Sequence, residues 1–255
     1  MVLRLDTWNV NGIRARIDLI VLYLKIEKPD VLCLQEVRCK DYQFPVDEIK
    51  RLGYHCYLNC QSGGINGVSI ISRYSLSDVR TGVGINKLDE EARLISGVLW
   101  GVRIINCYVP YGTKLDHINY QKKLLWLDAL NLYCSIYKGK SGTLVCGDLN
   151  IALTNLELCS QTNKEMVVKS SDVRKRLYNI MSNNFLFDTF RKFDKSRKFS
   201  CWRFNKEHLK NNWGMRLDYI LTSENLYRKS ISCKILKDYR FFPKPSDHVP
   251  VSIVW

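Results

Sequence analysis

Short runs of apolar and β-branched residues recur from one end of this 255-residue chain to the other, with glycine and proline turns between them. Runs of this length and composition predict β-strands. VLCL (31–34) and TLVC (143–146) are apolar at consecutive positions, which predicts strands covered on both faces. We predict strands at Val2–Val10, Val31–Leu34, Gly67–Ser72, Leu94–Leu99, Val102–Tyr108, Thr143–Cys146, Leu217–Leu221 and Val249–Trp255.

Between some of these runs the apolar spacing changes to that of an amphipathic helix. The spacing predicts a first helix from Ile13 to Leu24, before Pro29, a second from about Asp116 to Tyr137, and a third after Ser171. Helices interleaved with buried strands predict a layered α/β domain, in which one sheet or two sheets packed face to face remain open. The chain has no internal repeat or linker, so we expect a single domain over residues 1–255.

Charge and cysteine content limit the partners and the compartment. The net charge of +14 favours a polyanion, either nucleic acid or an anionic membrane surface. No apolar run reaches the roughly 18–20 residues of a membrane span, so we expect no membrane association of that kind. The ten cysteines form no CxxC pair, and MVLRLDTWNV lacks a secretory pattern. We therefore expect reduced thiols in a cytoplasmic location, although an organelle or the nucleus stays open.

Polar residues cluster where predicted strands end, in six segments. Asn9 and Asn11 are two residues apart, as are Asp148 and Asn150, so the members of each pair point to the same side of extended chain. Such pairs can converge on a phosphate or a metal ion. The segments are TWNVNG (7–12), CLQEVR (33–38), CYVPYG (107–112), CGDLN (146–150), RLDYIL (216–221) and PSDHVP (245–250).

Taken singly, each of these residues also has an ordinary structural explanation. Glu36 suits a hard oxygen ligand of Mg²⁺, but it could equally be a surface glutamate at a turn. Asp148 could cap a helix, and Asp247-His248 could form a turn between prolines. If His248 handles protons or contacts phosphate, Asp218 is the candidate carboxylate that keeps it cationic.

The six segments, in this order, resemble the exonuclease III family of abasic-site endonucleases, within the endonuclease/exonuclease/phosphatase superfamily. The resemblance runs from Trp8 to Val251 and extends to FPVDEI (44–49), NGVSIIS (66–72), DEEARLI (89–95) and FLFDTFR (185–191). It implies a four-layer α/β sandwich, in which two mixed β-sheets pack face to face with helices outside.

The resemblance also implies roles for single residues. Asp148 matches the carboxylate that orients or deprotonates water, and His248 matches the histidine that contacts phosphate. The remaining matches are Glu36 and Asn11 at a Mg²⁺ site where Mn²⁺ could substitute, Asp247 as an outer metal or water ligand, Asn9 and Asn150 as positioning amides, Asp218 as the partner of His248, and Tyr108 beside the scissile phosphate.

Further matches imply how substrate is held. The pocket for a flipped, base-free sugar corresponds to Cys201, Trp202, Met215 and Leu217, although Trp202 could equally be a core residue. Tyr111 and Ile65 depart from the family pattern, which leaves the backbone contacts there open. Matches near the DNA path are Arg14, Arg38, Arg93 and Arg216, with further charge in Arg174–Arg176 and Arg191–Lys198 that a solvated helix face would also explain.

The implied activity is Mg²⁺-dependent hydrolysis of DNA on the 5′ side of an abasic site, with 3′→5′ exonuclease and 3′-end trimming activity. The implied partner is double-stranded DNA with abasic sites or 3′ ends, bound by a monomer. Two alternatives stay open. One is a phosphatase or phosphodiesterase acting on inositol phosphates, sphingomyelin or RNA tails, against which Tyr108 argues, and the other is a non-catalytic DNA-binding protein.

Overall fold

The computed structural model describes residues 2–139, 142–160 and 166–255, which form two six-stranded β-sheets with helices on their outer faces. With strands numbered in chain order, the first sheet runs β11 (Ser232–Ile235), β12 (Val251–Val254), β1 (Arg4–Asn9), β2 (Val31–Gln35), β4 (Val68–Ser72), β3 (His55–Asn59). The second runs β5 (Ser77–Thr81), β6 (Leu94–Leu99), β7 (Val102–Tyr108), β8 (Thr143–Asp148), β10 (Asp218–Ser223), β9 (Leu186–Asp188).

Three long helices and several short ones cover the sheets. They are α1 (Ile13–Ile26), α2 (Val46–Lys50), α3 (Asn86–Asp89), α4 (Ile118–Ser135), α5 (Ser171–Asn183), α6 (Phe190–Phe193), α7 (Lys206–Lys210) and α8 (Glu224–Lys229). None of these helices is both long enough and apolar enough to cross a membrane, within the part of the chain that is described.

The two sheets face each other across an apolar core that includes Leu5 and Ile70 from the first sheet and Ile104 and Leu144 from the second. The outer face of the first sheet packs against α1, and that of the second packs against α4 and α5. Both sheets are mixed, because β1 and β2 are parallel, as are β7 and β8, whereas the other pairs are antiparallel. The expected four-layer α/β sandwich is confirmed.

Every strand predicted from the sequence is present, and the three predicted helices correspond to α1, α4 and α5. The sequence pattern missed β3, β5, β9 and β11, which are the four edge strands of the two sheets. An edge strand is only partly covered, so it lacks the continuous apolar run of a central strand. All five residues of β5, for example, are exposed.

Strand register brings the functional segments to one end of the sandwich. Tyr108, the last residue of β7, lies opposite Asp148, the last residue of β8, and Asp148 lies opposite Asp218, the first residue of β10. Gly147 permits this close approach, because a Cβ there would lie 1.9 Å from the carbonyl oxygen of Cys107. In the facing sheet, β1 ends at Asn9, which lies opposite Gln35, the last residue of β2. Glu36 follows Gln35 directly.

Candidate active site

Asp148 is the centre of a hydrogen-bonded group at this end of the molecule. Its side chain is 1% exposed, and its Oδ1 accepts a 2.9 Å hydrogen bond from the backbone N–H of Asn150. Its Oδ2 accepts hydrogen bonds from the side-chain amides of Asn9 (3.0 Å) and Asn150 (3.3 Å). Asn150 has a φ of 50°, a conformation that asparagine tolerates better than most residues and that turns its amide back onto the carboxylate.

The pKa of Asp148 is raised to about 7. Burial is the largest cause, the neighbouring acids Asp218 and Glu36 act in the same direction, and His248 opposes them. A carboxylate with a pKa near neutrality can accept a proton from water far more readily than an ordinary aspartate. The arrangement therefore suits a general base.

His248 stands between two carboxylates. Its Nδ1 lies 2.8 Å from Oδ2 of Asp218, and its Nε2 lies 3.8 Å from Oδ2 of Asp148. Ser200 donates a 2.6 Å hydrogen bond to that same oxygen of Asp218. Burial acts to lower the pKa of His248, but Asp218 and Asp148 outweigh it and raise the pKa well above its usual value. The imidazole is therefore cationic near neutral pH, with its Nε2 free to face an anion.

The residues predicted to hold a metal ion converge on the same hollow. The side-chain amide of Asn9 donates to Glu36 Oε1 (2.8 Å) as well as to Asp148, so it ties the two acids together. The side-chain amide of Asn11 donates to Asp247 Oδ1 (3.0 Å), which leaves the side-chain oxygen Oδ1 of Asn11 available as a ligand. Carboxylate and amide oxygens fit a hard divalent cation.

A second group of metal-ligand types, Asp148, Asp218 and His248, also has its ligand atoms within 4.8 Å of one another. A cationic imidazole has no lone pair to give a metal, however, and Asp218 already accepts hydrogen bonds from both Ser200 and His248. The oxygen donors of Glu36, Asn11 and Asp247 therefore fit a divalent cation better than this second group does, and Asp148 lies next to them.

Tyr108 borders the same hollow. Its ring lies 4.7 Å from the guanidinium of Arg93, and Arg93 forms an ion pair with Glu91. Burial raises the pKa of Tyr108 well above its usual value, and Glu36 and Asp148 add to this effect. The phenol therefore stays protonated and can donate a hydrogen bond to an anion in the hollow.

A cleft of about 270 Å³ opens over these groups. Cys201, Met215 and Leu217 form its apolar side, together with Trp202, which is 2% exposed and also packs in a small core cluster. Trp202 therefore borders the cleft and is a core residue as well, and its contact with substrate stays a prediction. The cleft is lined as well by Glu36, Tyr108, Tyr111, Asp148, Asn150, Arg203, Asp247 and His248.

Of the arginines expected along a DNA path, two lie at the surface. Arg38 is 48% exposed and forms an ion pair with Glu36, and Arg14 is exposed at a neighbouring hollow. The side chain of Arg93 is mostly covered, at 11% exposure, and stacks on Tyr108.

Arg216 corrects our expectation. Its guanidinium is 1% exposed and pairs with Glu157 (2.9 Å) and Asp188 (2.6 Å). Met215 and Leu217 line the cleft, whereas the two acids hold the Arg216 guanidinium inside the molecule. Arg216 therefore belongs to a buried ion-pair network, and its guanidinium is not exposed where DNA would lie.

Sequence reasoning missed Lys123, which is 0% exposed inside α4. Its Nζ donates hydrogen bonds to the carbonyl oxygens of Asn150 (2.7 Å) and Tyr111 (3.3 Å), and burial lowers its pKa to about 7. Lys123 thereby connects the loops that follow β7 and β8. The available signal was a lysine beside the apolar residues Leu124, Trp126 and Leu127, where a helix covers a sheet.

Comparison with known proteins agrees with this geometry. The model of the endonuclease/exonuclease/phosphatase family matches residues 7–248. This chain belongs to that family. An exodeoxyribonuclease of Bacillus subtilis is 30% identical over 260 residues, which cover 99% of each chain. Recombination repair protein 1 of Drosophila melanogaster is 32% identical over 98% of this chain, but the chain spans only 37% of the length of that relative.

Solved structures extend the family relationship to the fold. The structure of an AP endonuclease from Archaeoglobus fulgidus has a TM-score of 0.94 and 33% identity, with 98% of each chain covered. A 3′ phosphatase from Neisseria, bound to a product DNA hairpin, has a TM-score of 0.92 and 27% identity, also with 98% of each chain covered.

Proposed function

We propose that this protein is a Mg²⁺-dependent DNA repair hydrolase that cleaves the phosphodiester on the 5′ side of abasic sites in duplex DNA. We further propose 3′→5′ exonuclease and 3′-end trimming activity. The observation that carries the proposal is the shared hydrogen bonding of Asp148, in which Asn9 links it to Glu36 while His248 stands on its other side. Relatives named exodeoxyribonuclease and AP endonuclease support it.

Each residue would then act on one part of the hydrolysis. Asp148 takes the proton of the attacking water, which is worth roughly 10²–10⁴-fold in rate. The cationic Nε2 of His248 and the phenol of Tyr108 donate to the phosphoryl oxygens as negative charge builds up on them. Asn9 and Asn150 fix the orientation of the Asp148 carboxylate, and Asp218 holds the imidazole.

Glu36, Asn11 and Asp247 would hold Mg²⁺, which when bound adds positive charge beside the scissile phosphate. Their oxygen donors are the type that this ion prefers, and Mn²⁺ accepts the same ligands.

The apolar side of the cleft would accept the base-free sugar. Cys201, Met215 and Leu217 offer no hydrogen bond to a base edge, so a nucleotide without its base loses nothing there. Tyr111 and Ile65, which depart from the family pattern, are 42% and 66% exposed and would meet the DNA backbone differently. Arg14, Arg38 and Arg93 would contact phosphates, with Trp202 behind the pocket.

We also propose that residues 1–255 act as a single domain and as a monomer, in a reducing compartment such as the cytoplasm. The pairing of β1 with β12 supports the first point, because it joins the two ends of the chain in one sheet. The reduced, buried thiols of Cys33, Cys107 and Cys146 support the last.

Incubation with duplex DNA that carries one synthetic abasic site tests the proposal. We expect a nick on the 5′ side with Mg²⁺, none with a chelator, and none in the matched duplex that lacks the abasic site. Asp148→Asn, prepared in the same way, controls for contaminating nucleases. Release of phosphate from an inositol phosphate, without nicking of the abasic duplex, would replace this function with the phosphatase alternative.

A further inference from the structure

A second cavity, larger than the catalytic cleft, lies on the flank of the sandwich between α6 with its following loop and the edge strand β11. Its volume is about 730 Å³, within the roughly 300–1,000 Å³ typical of ligand sites. We call it the flank groove. Basic residues line it, namely Arg197, Lys198, Lys234 and Lys237, and its apolar surface includes Phe193, Phe199, Trp202 and Ile235. The proposed hydrolysis uses none of these cations.

The cations of the flank groove are available to a ligand. Arg197, Lys198 and Lys234 are exposed, and the side chain of none of them forms a hydrogen bond or an ion pair with another residue in the described ranges. The single acid that lines the groove, Asp194, is occupied, since its Oδ1 accepts hydrogen bonds from the backbone N–H (2.7 Å) and the hydroxyl (2.5 Å) of Ser196. The groove therefore presents unpaired positive charge, which attracts an anion.

The floor of the groove identifies the kind of anion. Phe193 is 40% exposed, so its ring is available to a ligand, whereas Phe199 (5%) and Trp202 (2%) are buried behind the surface of the groove. An exposed aromatic ring among cations is a combination that holds single-stranded nucleic acid, because an unpaired base stacks on the ring while the cations meet the phosphates. Bases within a duplex are already stacked and paired, so they cannot use such a floor.

The flank groove shares a wall with the catalytic cleft. Trp202 lines both cavities. Its indole N–H donates to Oδ1 of Asn212 (3.1 Å), the same oxygen that accepts a hydrogen bond from Lys237 (3.2 Å), and Lys237 lies 5.4 Å from the Trp202 ring. A strand leaving the cleft across this wall would enter the groove.

We propose that the flank groove binds a single-stranded segment of nucleic acid next to the cleft. The inference rests on the proposed action on DNA, and it adds a site for an unpaired strand that the hydrolysis itself does not need. It gives a role to Arg197 and Lys198, the end of the basic run Arg191–Lys198, which the sequence alone could also explain as a solvated face.

Binding of a fluorescent oligothymidine, measured by anisotropy in chelator over a range of salt concentrations, tests this site. We compare the wild type with the double variant Arg197→Ala/Lys234→Ala. The control is Lys25→Ala/Lys87→Ala, which removes the same charge from exposed positions that line neither cavity. Each phosphate contact contributes about 0.7 to the slope of log affinity against log salt for a single strand. We expect this slope to be smaller in the groove variant by about 0.7 per removed cation, and the control to keep the wild-type slope.

Other outcomes separate the possibilities. An equal loss of salt slope in the groove variant and the control, or unchanged binding by the groove variant, would overturn the proposal that the flank groove binds a single strand. Competition by polyglutamate as effective as that by oligothymidine would also overturn it, in favour of an acidic protein segment. If the groove variant shows the expected loss but the wild type never nicks the abasic duplex, the proposed hydrolysis fails and the groove stands. A thermal unfolding midpoint equal to that of the wild type, measured for each variant, checks that folding is unchanged.

Discussion

Two buried groups of charged side chains lie next to one short segment, and they behave in opposite ways. Asp218 pairs with His248 beside Asp148, whereas Arg216, two residues earlier, pairs with Glu157 and Asp188. We call the first the catalytic cluster and the second the structural cluster. Both are almost completely hidden from solvent.

The difference lies in the balance of charge. In the structural cluster Glu157 is met by both Arg216 and Arg191, and although burial acts to raise its pKa, these partners lower it to about 2. In the catalytic cluster Asp148 and Asp218 share one imidazole, since the nearby Glu36 pairs with Arg38, and burial together with these acids raises the pKa of Asp148 to about 7 against the effect of His248. A buried cluster whose positive and negative charges balance keeps each group in one protonation state near neutral pH. A buried cluster with surplus negative charge can gain or lose a proton there, and it attracts a cation.

The largest expected effect on activity is that of Asp148→Asn. An amide cannot take a proton from water, so the rate of nicking should fall by about 10²–10⁴-fold while DNA affinity changes little. Single-turnover cleavage and binding in chelator measure the two quantities. A parallel loss of affinity would mean that Asp148 holds substrate and is not the base.

The matching substitution in the structural cluster should act on folding. Arg216→Met leaves Asp188 buried without a counter-charge and Glu157 with Arg191 alone, which should lower the free energy of unfolding by about 3–5 kcal/mol. Urea unfolding measures this, with the exposed Arg197→Met as a control expected to stay within about 0.5 kcal/mol of wild type. If Arg216→Met is as stable as the wild type but binds DNA weakly, Arg216 is a DNA contact after all.

A smaller effect should follow from Lys123→Met, which removes the donor shared by the carbonyl oxygens of Asn150 and Tyr111. Each hydrogen bond contributes about 0.5–1.5 kcal/mol, and more while the amine is charged, so losing both should loosen the two loops. We expect kcat to fall while KM stays near its wild-type value, because Lys123 lies beneath the cleft and touches no substrate. A change confined to KM would place its influence on binding.

The smallest effect is expected from Ser200→Ala. Asp218 loses one of its two hydrogen bonds but keeps His248, so turnover should fall by the equivalent of about 0.5–1.5 kcal/mol. Steady-state kinetics measures the change. A loss as large as that of Asp148→Asn would show that Ser200 does more than hold Asp218.

The sequence predicted the centre of this molecule better than its margins. The central strands carry apolar runs because both of their faces are covered, whereas the four edge strands have no such run and were missed. The residues expected at the cleft converge because strand ends in register must meet. The position of Arg216 depends on Glu157 and Asp188, which are distant from it in the chain. The position of Lys123 depends on how α4 packs over two loops. Local sequence does not specify such contacts.

Titration of the side-chain carboxyl groups by ¹³C NMR, in chelator, tests most directly the claim that surplus negative charge prepares Asp148 for proton transfer. The account predicts that Asp148 becomes protonated as the pH falls through about 7, so that the base is lost on the acid side, while Glu157 stays ionised until about pH 2. An Asp148 carboxylate that stays ionised down to the ordinary aspartate range would contradict it.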